Sequence, residues 1–274
     1  MTRMAVWGAN GFAGGRLCEA ASTRALELRP LTRAALDFTA SEERMREALG
    51  GMEVAFHCAG KLQEPDPSGY AAATARFARA CAGAGLRRLV YLSTLAVYGP
   101  RRSGEIGTDT PLIGTDAYAA IRIEAEVAIH AALAGTGTMA TIVRVPMLVG
   151  QGMPGTALAR FFRVLSSGVF PHPGPEDAAL PCLGIHRLAA LLLRLPDEGN
   201  ATLQFSDHLR WTELAARYGA MRGRRIARIR VPNLPGSFAA LSCTARYVDD
   251  AARITGGGGD LPSTWTDIDA LIRP

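Results

Sequence analysis

Lysine is nearly missing from this chain. Lys61 is the only one, and arginine supplies the rest of the 30 basic residues. A GC-rich coding bias accounts for that without a functional cause. The formal net charge is +5, yet the arginines are scattered apart from the run Arg222-Gly223-Arg224-Arg225. Nucleic-acid binding calls for aromatic residues interleaved with a basic stripe. The sequence has no such stripe, so no nucleic-acid partner is expected. Cysteine is scarce as well. Cys18, Cys58, Cys81, Cys182 and Cys243 show no paired spacing, which argues for reduced thiols in a cytoplasm and against a disulfide frame. Histidine and cysteine show no metal-ligand spacing either, and no metal is expected. No apolar run reaches the roughly 18 residues that span a bilayer. Glycines interrupt the apolar N-terminus early and no cleavage-type segment follows, unlike a secretory leader. The expectation is a cytoplasmic protein with no membrane partner.

What the chain does have is apolar sequence in short blocks. Hydrophobic residues make up 48% of 274, enough for one large α/β domain with a smaller appended lobe. Met4–Trp7 is an apolar run that stops at glycine and reads as a buried strand. Gly14 to about Arg24 is helix-compatible, and Leu26–Leu31 reads as a second strand. Ser41 caps a predicted helix over Glu42–Leu49, whose acidic first turn suits the helix dipole. Val54–Cys58, Leu89–Ser93 and Thr141–Val145 read as strands, Ser68–Ala84 and Thr115–Leu133 as helices. This alternation predicts a Rossmann-type α/β domain, a doubly wound parallel sheet, over residues 1–150. After Gly150 the pattern loosens. Proline and glycine gather at 171–175 and 232–236, with helices predicted at 156–166, 186–195 and 211–221. Residues 151–274 are expected to form a smaller substrate lobe interleaved with the first domain.

The turn Gly8-Ala9-Asn10-Gly11-Phe12-Ala13-Gly14 follows the first strand and opens a helix. One glycine makes the tight turn and another lets backbone approach a pyrophosphate. A third permits close helix packing, and the helix N-terminus faces the anion. In that context the spacing predicts binding of NADP or NAD.

Other stretches add to it. His57-Cys58-Ala59-Gly60 ends a strand. Tyr91-Leu92-Ser93-Thr94-Leu95-Ala96-Val97-Tyr98-Gly99 runs from strand to loop. Tyr118-Ala119-Ala120-Ile121-Arg122 opens a helix that continues with Glu124 and Glu126. Arg144-Val145-Pro146 is followed by Val149-Gly150. Together with the wide GxxGxxG spacing, these resemble the extended branch of the short-chain dehydrogenase/reductase superfamily, the NAD-dependent epimerases and dehydratases. The likeness is dense over residues 4–150. It thins afterwards to Trp211-Thr212-Glu213-Leu214 and Val231-Pro232.

The resemblance implies a site. Gly8, Asn10, Gly11, Phe12 and Gly14 would hold cofactor phosphates, with Cys58, Ala59, Gly60 and Pro146 lining the cofactor. Counting back from Val97-Tyr98-Gly99, Thr94 falls on the hydroxyl that holds the substrate oxygen, and Ser93 is the runner-up. Tyr118 would be the acid/base. A tyrosine serves in that role if its phenol pKa, about 10 when free, is lowered by nearby positive charge. The family supplies the charge from a lysine one helical turn later, which also binds the nicotinamide ribose. Here that residue is Arg122, which keeps the charge with a broader donor fork.

The cofactor's adenosine end resembles the family less. The acidic residue that would accept a ribose 2′-hydroxyl is replaced by Thr32, followed by Arg33, which can pair with a 2′-phosphate. NADP is therefore expected ahead of NAD. Asp37-Phe38 resembles the family's adenine-contacting pair but comes so soon after Arg33 that the third strand must be short or missing. Tyr70-Ala71-Ala72-Ala73-Thr74 lacks the family's asparagine, and His186-Arg187 replaces an acidic pair before Leu188-Ala189. Leu95-Ala96 stand where sugar 4,6-dehydratases carry Asp-Glu, so that activity is not expected.

Two readings of Arg122 stay open. One is a working variant, an oxidoreductase or epimerase acting on a carbinol or ketone of a nucleotide-sugar or small biosynthetic intermediate. The other is an NADP sensor or regulatory module that has lost efficient redox chemistry. Lys61 reaching into the site is a third route to the missing charge. His57 reads as a packed core residue and His130 as helix surface, while His172 and His186 lie where substrate would face. Cys58 reads as a small buried thiol. Arg160, Arg163 and Arg210 are candidates to clamp a diphosphate, though each also reads as ordinary surface. The helices at 68–84 and 115–133 would pair in a homodimer.

Overall fold

Residues Met4–Trp7 form β1, and every one is buried, as a parallel strand covered on both faces requires. The computed structural model describes residues 2–60, 67–100, 103–153, 157–172, 175, 177–195, 199–230, 244–256 and 260–273. After β1 come α1 (Phe12–Ser22), β2 (Leu28–Leu31), α2 (Glu42–Leu49) and β3 (Val54–His57). Next are α3 (Pro67–Gly83), β4 (Arg88–Thr94), a 3₁₀ turn at Leu95–Tyr98, β5 (Glu105–Ile106), α4 (Ala117–Leu133) and β6 (Met139–Val145). The later part holds β7 (Met147–Val149), α5 (Ala157–Leu165), β8 (Val169–His172), β9 (Ala179–Gly184), α6 (Ile185–Leu192) and β10 (Ala201–Gln204). It closes with β11 (Asp207–Arg210), α7 (Trp211–Met221), β12 (Ala227–Arg230), β13 (Arg246–Tyr247), α8 (Ala251–Thr255) and α9 (Thr264–Ile272).

The central sheet runs β10-β6-β4-β3-β1-β2 with every neighbouring pair parallel. This is the doubly wound arrangement the alternation predicts. Among the described residues β2 is the sheet's edge, with no strand beyond it, which fits the early arrival of Asp37-Phe38. Ser41 caps α2 by accepting the Arg44 N–H at 3.2 Å. The sixth strand, β10, returns from beyond residue 150 to pair with β6.

Side-chain alternation along β1 builds both cores. Ala5 and Trp7 join Phe77, Tyr91 and Ile129 under α2, α3 and α4. Met4 and Val6 join Leu17, Val143, Leu188 and Phe205 under α1 and α6. A third core gathers Phe161, Phe170, Trp211, Leu214 and Ile268, packed beside the small sheet β11-β9-β7.

Candidate active site

The glycine turn has no room for a side chain at Gly8 or Gly14. Gly8 sits at φ +89°, and a β-carbon there would lie 2.6 Å from the Ala59 nitrogen. A β-carbon on Gly14 would run into the Gly8 carbonyl. The Gly11 N–H donates back to that carbonyl at 2.9 Å, and the Gly8 N–H donates to Leu31 O at 3.0 Å. Helix α1 then starts with Gly11 at its N-cap and no side chain capping it. Helix N-termini present N–H donors and the positive end of a dipole, which suits a phosphate.

A cleft of about 290 Å³ opens over this turn. Gly8, Asn10 and Gly11 form one side, Arg33, Asp37 and Phe38 another, and Cys58, Ala59 and Gly60 a third. Nine of the residues expected to hold the cofactor thus meet in one cavity. Phe12 opens α1 and Gly14 lies beneath the turn. The Thr32 carbonyl accepts the N–H groups of Ala35 and Leu36 and so turns the chain toward Asp37. Pro146 is half-buried just past β6, outside the lining of this cleft.

Asp37 Oδ1 accepts from the Thr39 hydroxyl at 2.7 Å and the Thr39 N–H at 2.8 Å. These bonds, with a smaller contribution from Arg33, hold its carboxyl below the usual range. Trp7 and Leu36 also line the cleft, and sequence reasoning missed both. The indole N–H donates to Leu36 O at 2.8 Å, and its ring packs against Phe38 and Phe77. The position of Trp7, immediately before Gly8 at the strand's end, was the available signal.

Thr94 ends β4 half-buried, and its Oγ1 accepts the Ala96 N–H at 3.2 Å. Ser93 points elsewhere. It is 4% exposed and donates to Glu126 Oε1 at 2.5 Å. Of the two hydroxyls, only Thr94 keeps a share of open surface.

Tyr118 and Arg122 stand one turn apart near the start of α4, where Asp116 Oδ1 caps the Ala119 N–H at 2.8 Å. Arg122 is 6% exposed. Its Nη1 donates to the Tyr70 and Tyr91 hydroxyls. Its guanidinium carbon lies 4.5 Å from the Tyr70 ring centre and 5.0 Å from that of Tyr118. Burial opposes its charge, but Tyr70, Tyr91 and Tyr118 outweigh burial and raise its pKa. A β-carbon on Gly60, at φ +139°, would lie 2.7 Å from Arg122 Nη2. The arginine therefore lies directly against the cofactor loop.

Glu126, one turn further on, takes Arg144 in a two-point ion pair at 3.2 and 2.7 Å. Arg144 also donates to the Tyr98 hydroxyl, and Tyr98 donates to Gln204 Oε1, both at 2.9 Å. Nothing in the local spacing announced this network.

His57 packs as expected. It is 0% exposed, with Nε2 3.1 Å from the Thr74 hydroxyl. Burial first and the charge of Arg122 second lower its pKa to about 3. Burial also pushes the Cys58 thiol up to about 12, so it stays protonated near neutrality. His130 is exposed on α4. His172 is buried beside Arg228, with Nδ1 at 3.1 Å from Nη2. His186 Nδ1 lies 2.6 Å from Asp267 Oδ1 at the start of α6. Arg210 pairs with Glu213, and Arg160 and Arg163 are exposed on α5. Lys61, Val231-Pro232 and Cys243 lie outside the described residues. Among the described residues no three histidines, cysteines or carboxylates stand close enough to hold a metal. None of their helices is long and apolar enough to cross a membrane.

The parallel sheet, the glycine turn over its carboxyl edge and the Tyr118 helix beside it define a Rossmann-type protein of the extended short-chain dehydrogenase/reductase kind. More particularly, residues 4–174 match the NAD dependent epimerase/dehydratase family, and the chain belongs to that family. Solved structures share its fold at low identity. A UDP-glucuronic acid 4-epimerase from Bacillus cereus, complexed with UDP-glucuronic acid and NAD, is 15% identical with a TM-score of 0.74, covering 99% of this chain and 98% of its own. A human epimerase family protein with NADPH is 20% identical with a TM-score of 0.74, and 99% of each chain is covered. TunA, an NAD-dependent NDP-hexosamine 5,6-dehydratase involved in tunicamycin biosynthesis, is 18% identical with a TM-score of 0.74 over 99% of this chain and 97% of its own. No functionally curated protein matches the chain by sequence.

Proposed function

We propose that this protein is an NAD(P)-dependent oxidoreductase or epimerase acting on a carbinol or ketone of a nucleotide-sugar or small biosynthetic intermediate. One observation carries the reading: Arg122 lies against Gly60 of the cofactor loop while its guanidinium packs over the Tyr118 ring. The glycine turn and uncapped α1 fit a dinucleotide's phosphates, and Trp7 and Phe38 offer apolar walls. A nicotinamide held there would supply or accept the hydride at the carbinol carbon. Tyr118 Oη takes the carbinol proton on oxidation and returns it on reduction. Thr94 Oγ1 donates to the same oxygen and orients it. Arg122 holds positive charge beside the reacting proton and offers N–H donors to the ribose.

Arg33 in the cleft, with no carboxylate at Thr32, supports NADP over NAD. Two α4 features fit a homodimer through α3 and α4: the helices lie side by side, and Val127 is 62% exposed. Sedimentation velocity on the full chain is expected to give a dimer, and a monomer sinks that part. A second reading, cofactor binding without turnover, draws support from the commitment of Arg122 Nη1 to Tyr70 and Tyr91.

Titration with NADPH and NADH, followed by nicotinamide fluorescence, is the first test. Tighter NADPH binding is expected. Tighter NADH binding removes the Arg33 argument alone, whereas no binding of either at millimolar concentration removes the function. A panel of nucleotide-sugars and small ketones, followed by nicotinamide absorbance and sugar NMR, then separates the two readings. Turnover that falls about 10²–10⁴-fold in Tyr118→Phe, with cofactor affinity kept, supports the enzyme. Binding without hydride exchange on any member supports the sensor.

A further inference from the structure

Tyr70 occupies a place that neither the glycine turn nor the Tyr118 helix explains. It comes from α3, yet its side chain reaches both the cofactor loop and α4. Its hydroxyl donates to the Ala59 carbonyl at 3.2 Å and accepts from Arg122 Nη1. Its ring lies under the guanidinium, 4.5 Å from the centre. The Tyr91 hydroxyl closes the arrangement, 3.2 Å from Tyr70 Oη and 3.3 Å from Arg122 Nη1. Tyr70 is 2% exposed and Tyr91 fully buried, so these bonds form away from water, where they are strongest.

A guanidinium is planar and carries its donors in a fixed fork, so its use depends on the plane being set. Tyr70 meets it twice, through the hydroxyl that accepts from Nη1 and through the ring face 4.5 Å beneath the guanidinium carbon. Gly60 sets the remaining limit, since its backbone leaves no space between the loop and Arg122 Nη2. The neighbouring His57 ring, 6.0 Å from Tyr70 and 5.2 Å from Tyr91, adds no competing charge near neutrality.

We infer that Tyr70 is the positioning residue for Arg122: it fixes the guanidinium against the cofactor loop, so that an arginine can address the cofactor's ribose from this helix. The inference rests on the cofactor reading above. It assigns Tyr70 a role through Arg122 and no contact with substrate.

A double-mutant cycle on NADPH affinity tests it. Tyr70→Phe keeps the ring and removes the hydroxyl, and is expected to weaken binding about tenfold, the scale of one hydrogen bond to a charged group. In an Arg122→Lys background the same change is expected to alter affinity less than about twofold, because the fork is gone. Equal weakening in both backgrounds means that Tyr70 acts on the loop through Ala59, and overturns the inference. So does unchanged affinity in Tyr70→Phe alone. A second measurement needs no cofactor. The Arg122 guanidinium N–H resonances, assigned by their loss in Arg122→Lys, are expected to stand apart from those of surface arginines through the rings of Tyr70 and Tyr118. In Tyr70→Phe they are expected to shift toward the surface set. Resonances that do not move overturn the inference whether or not the wild type binds NADPH.

Discussion

Arg122 and Arg144 are two arginines buried to the same degree, each 6% exposed, and helix α4 meets both. Arg144 meets it through a carboxylate. Glu126 takes two of its N–H groups, and Tyr98 and the Thr108 carbonyl take more. That set joins β6 to α4 and, through Tyr98 and Gln204, to β10. Arg122 instead meets phenol hydroxyls and ring faces, and presses Nη2 toward a glycine of the cofactor loop. The difference teaches where to place function. A carboxylate partner locks a guanidinium into the framework, whereas rings and hydroxyls can hold one against a loop.

Breaking the framework arginine is expected to have the largest effect. Glu126→Leu leaves Arg144 buried without its carboxylate and should lower stability by about 3–5 kcal/mol, measured by urea unfolding. A loss under about 1 kcal/mol would mean that the pair holds nothing together.

The pH dependence of stability comes next. His57 is neutral in the folded chain, with a pKa depressed to about 3 from the ordinary 6.5. Below pH 6.5 the unfolded chain takes up a proton that the folded chain refuses. Stability from this group is therefore complete above pH 6.5 and declines toward pH 3, by up to about 1.4 kcal/mol per pH unit. Arg122→Gln removes the second cause of the depression, so the decline should end at a higher pH. The same acid limb in both proteins would show that burial acts alone and that the charge of Arg122 does not reach the ring.

The smallest effect is expected at the mouth of the cleft. Arg33→Ala should weaken NADPH about tenfold and NADH little, since an exposed guanidinium–phosphate pair contributes on the order of 1 kcal/mol. Equal losses for the two cofactors would place Arg33 elsewhere than at a 2′-phosphate.

Much of the frame was legible from local pattern. The predicted strands at Met4–Trp7, Val54–Cys58, Leu89–Ser93 and Thr141–Val145 appear within a few residues of their predicted ends. The three helices predicted after residue 150 appear as α5, α6 and α7. The strands of that region were not legible: β10, β11, β12 and β13 are four residues or fewer, and the other two contain proline. Pro171 lies inside β8 and Pro181 inside β9, and proline removes a ladder donor, so it argues against a strand. Both strands belong to sheets of two or three members, where that loss is tolerated. At the site, Tyr118 and Arg122 were legible because four residues separate them on one helix. Tyr70 and Tyr91 were not, because they reach Arg122 across 52 and 31 residues of chain. Tyr70 drew notice only as part of a stretch lacking an asparagine.

The return of β10 to the central sheet bears on how this chain can be divided. Beta6 has β4 on one side and β10 on the other. A fragment ending near residue 150 would carry every residue of the glycine turn, Thr94, Tyr118 and Arg122. It would also carry a bare row of backbone donors and acceptors along β6, an invitation to strands of other copies. Such a half is expected to aggregate before it binds anything, so the residues of the candidate site cannot be studied in a fragment that lacks β10.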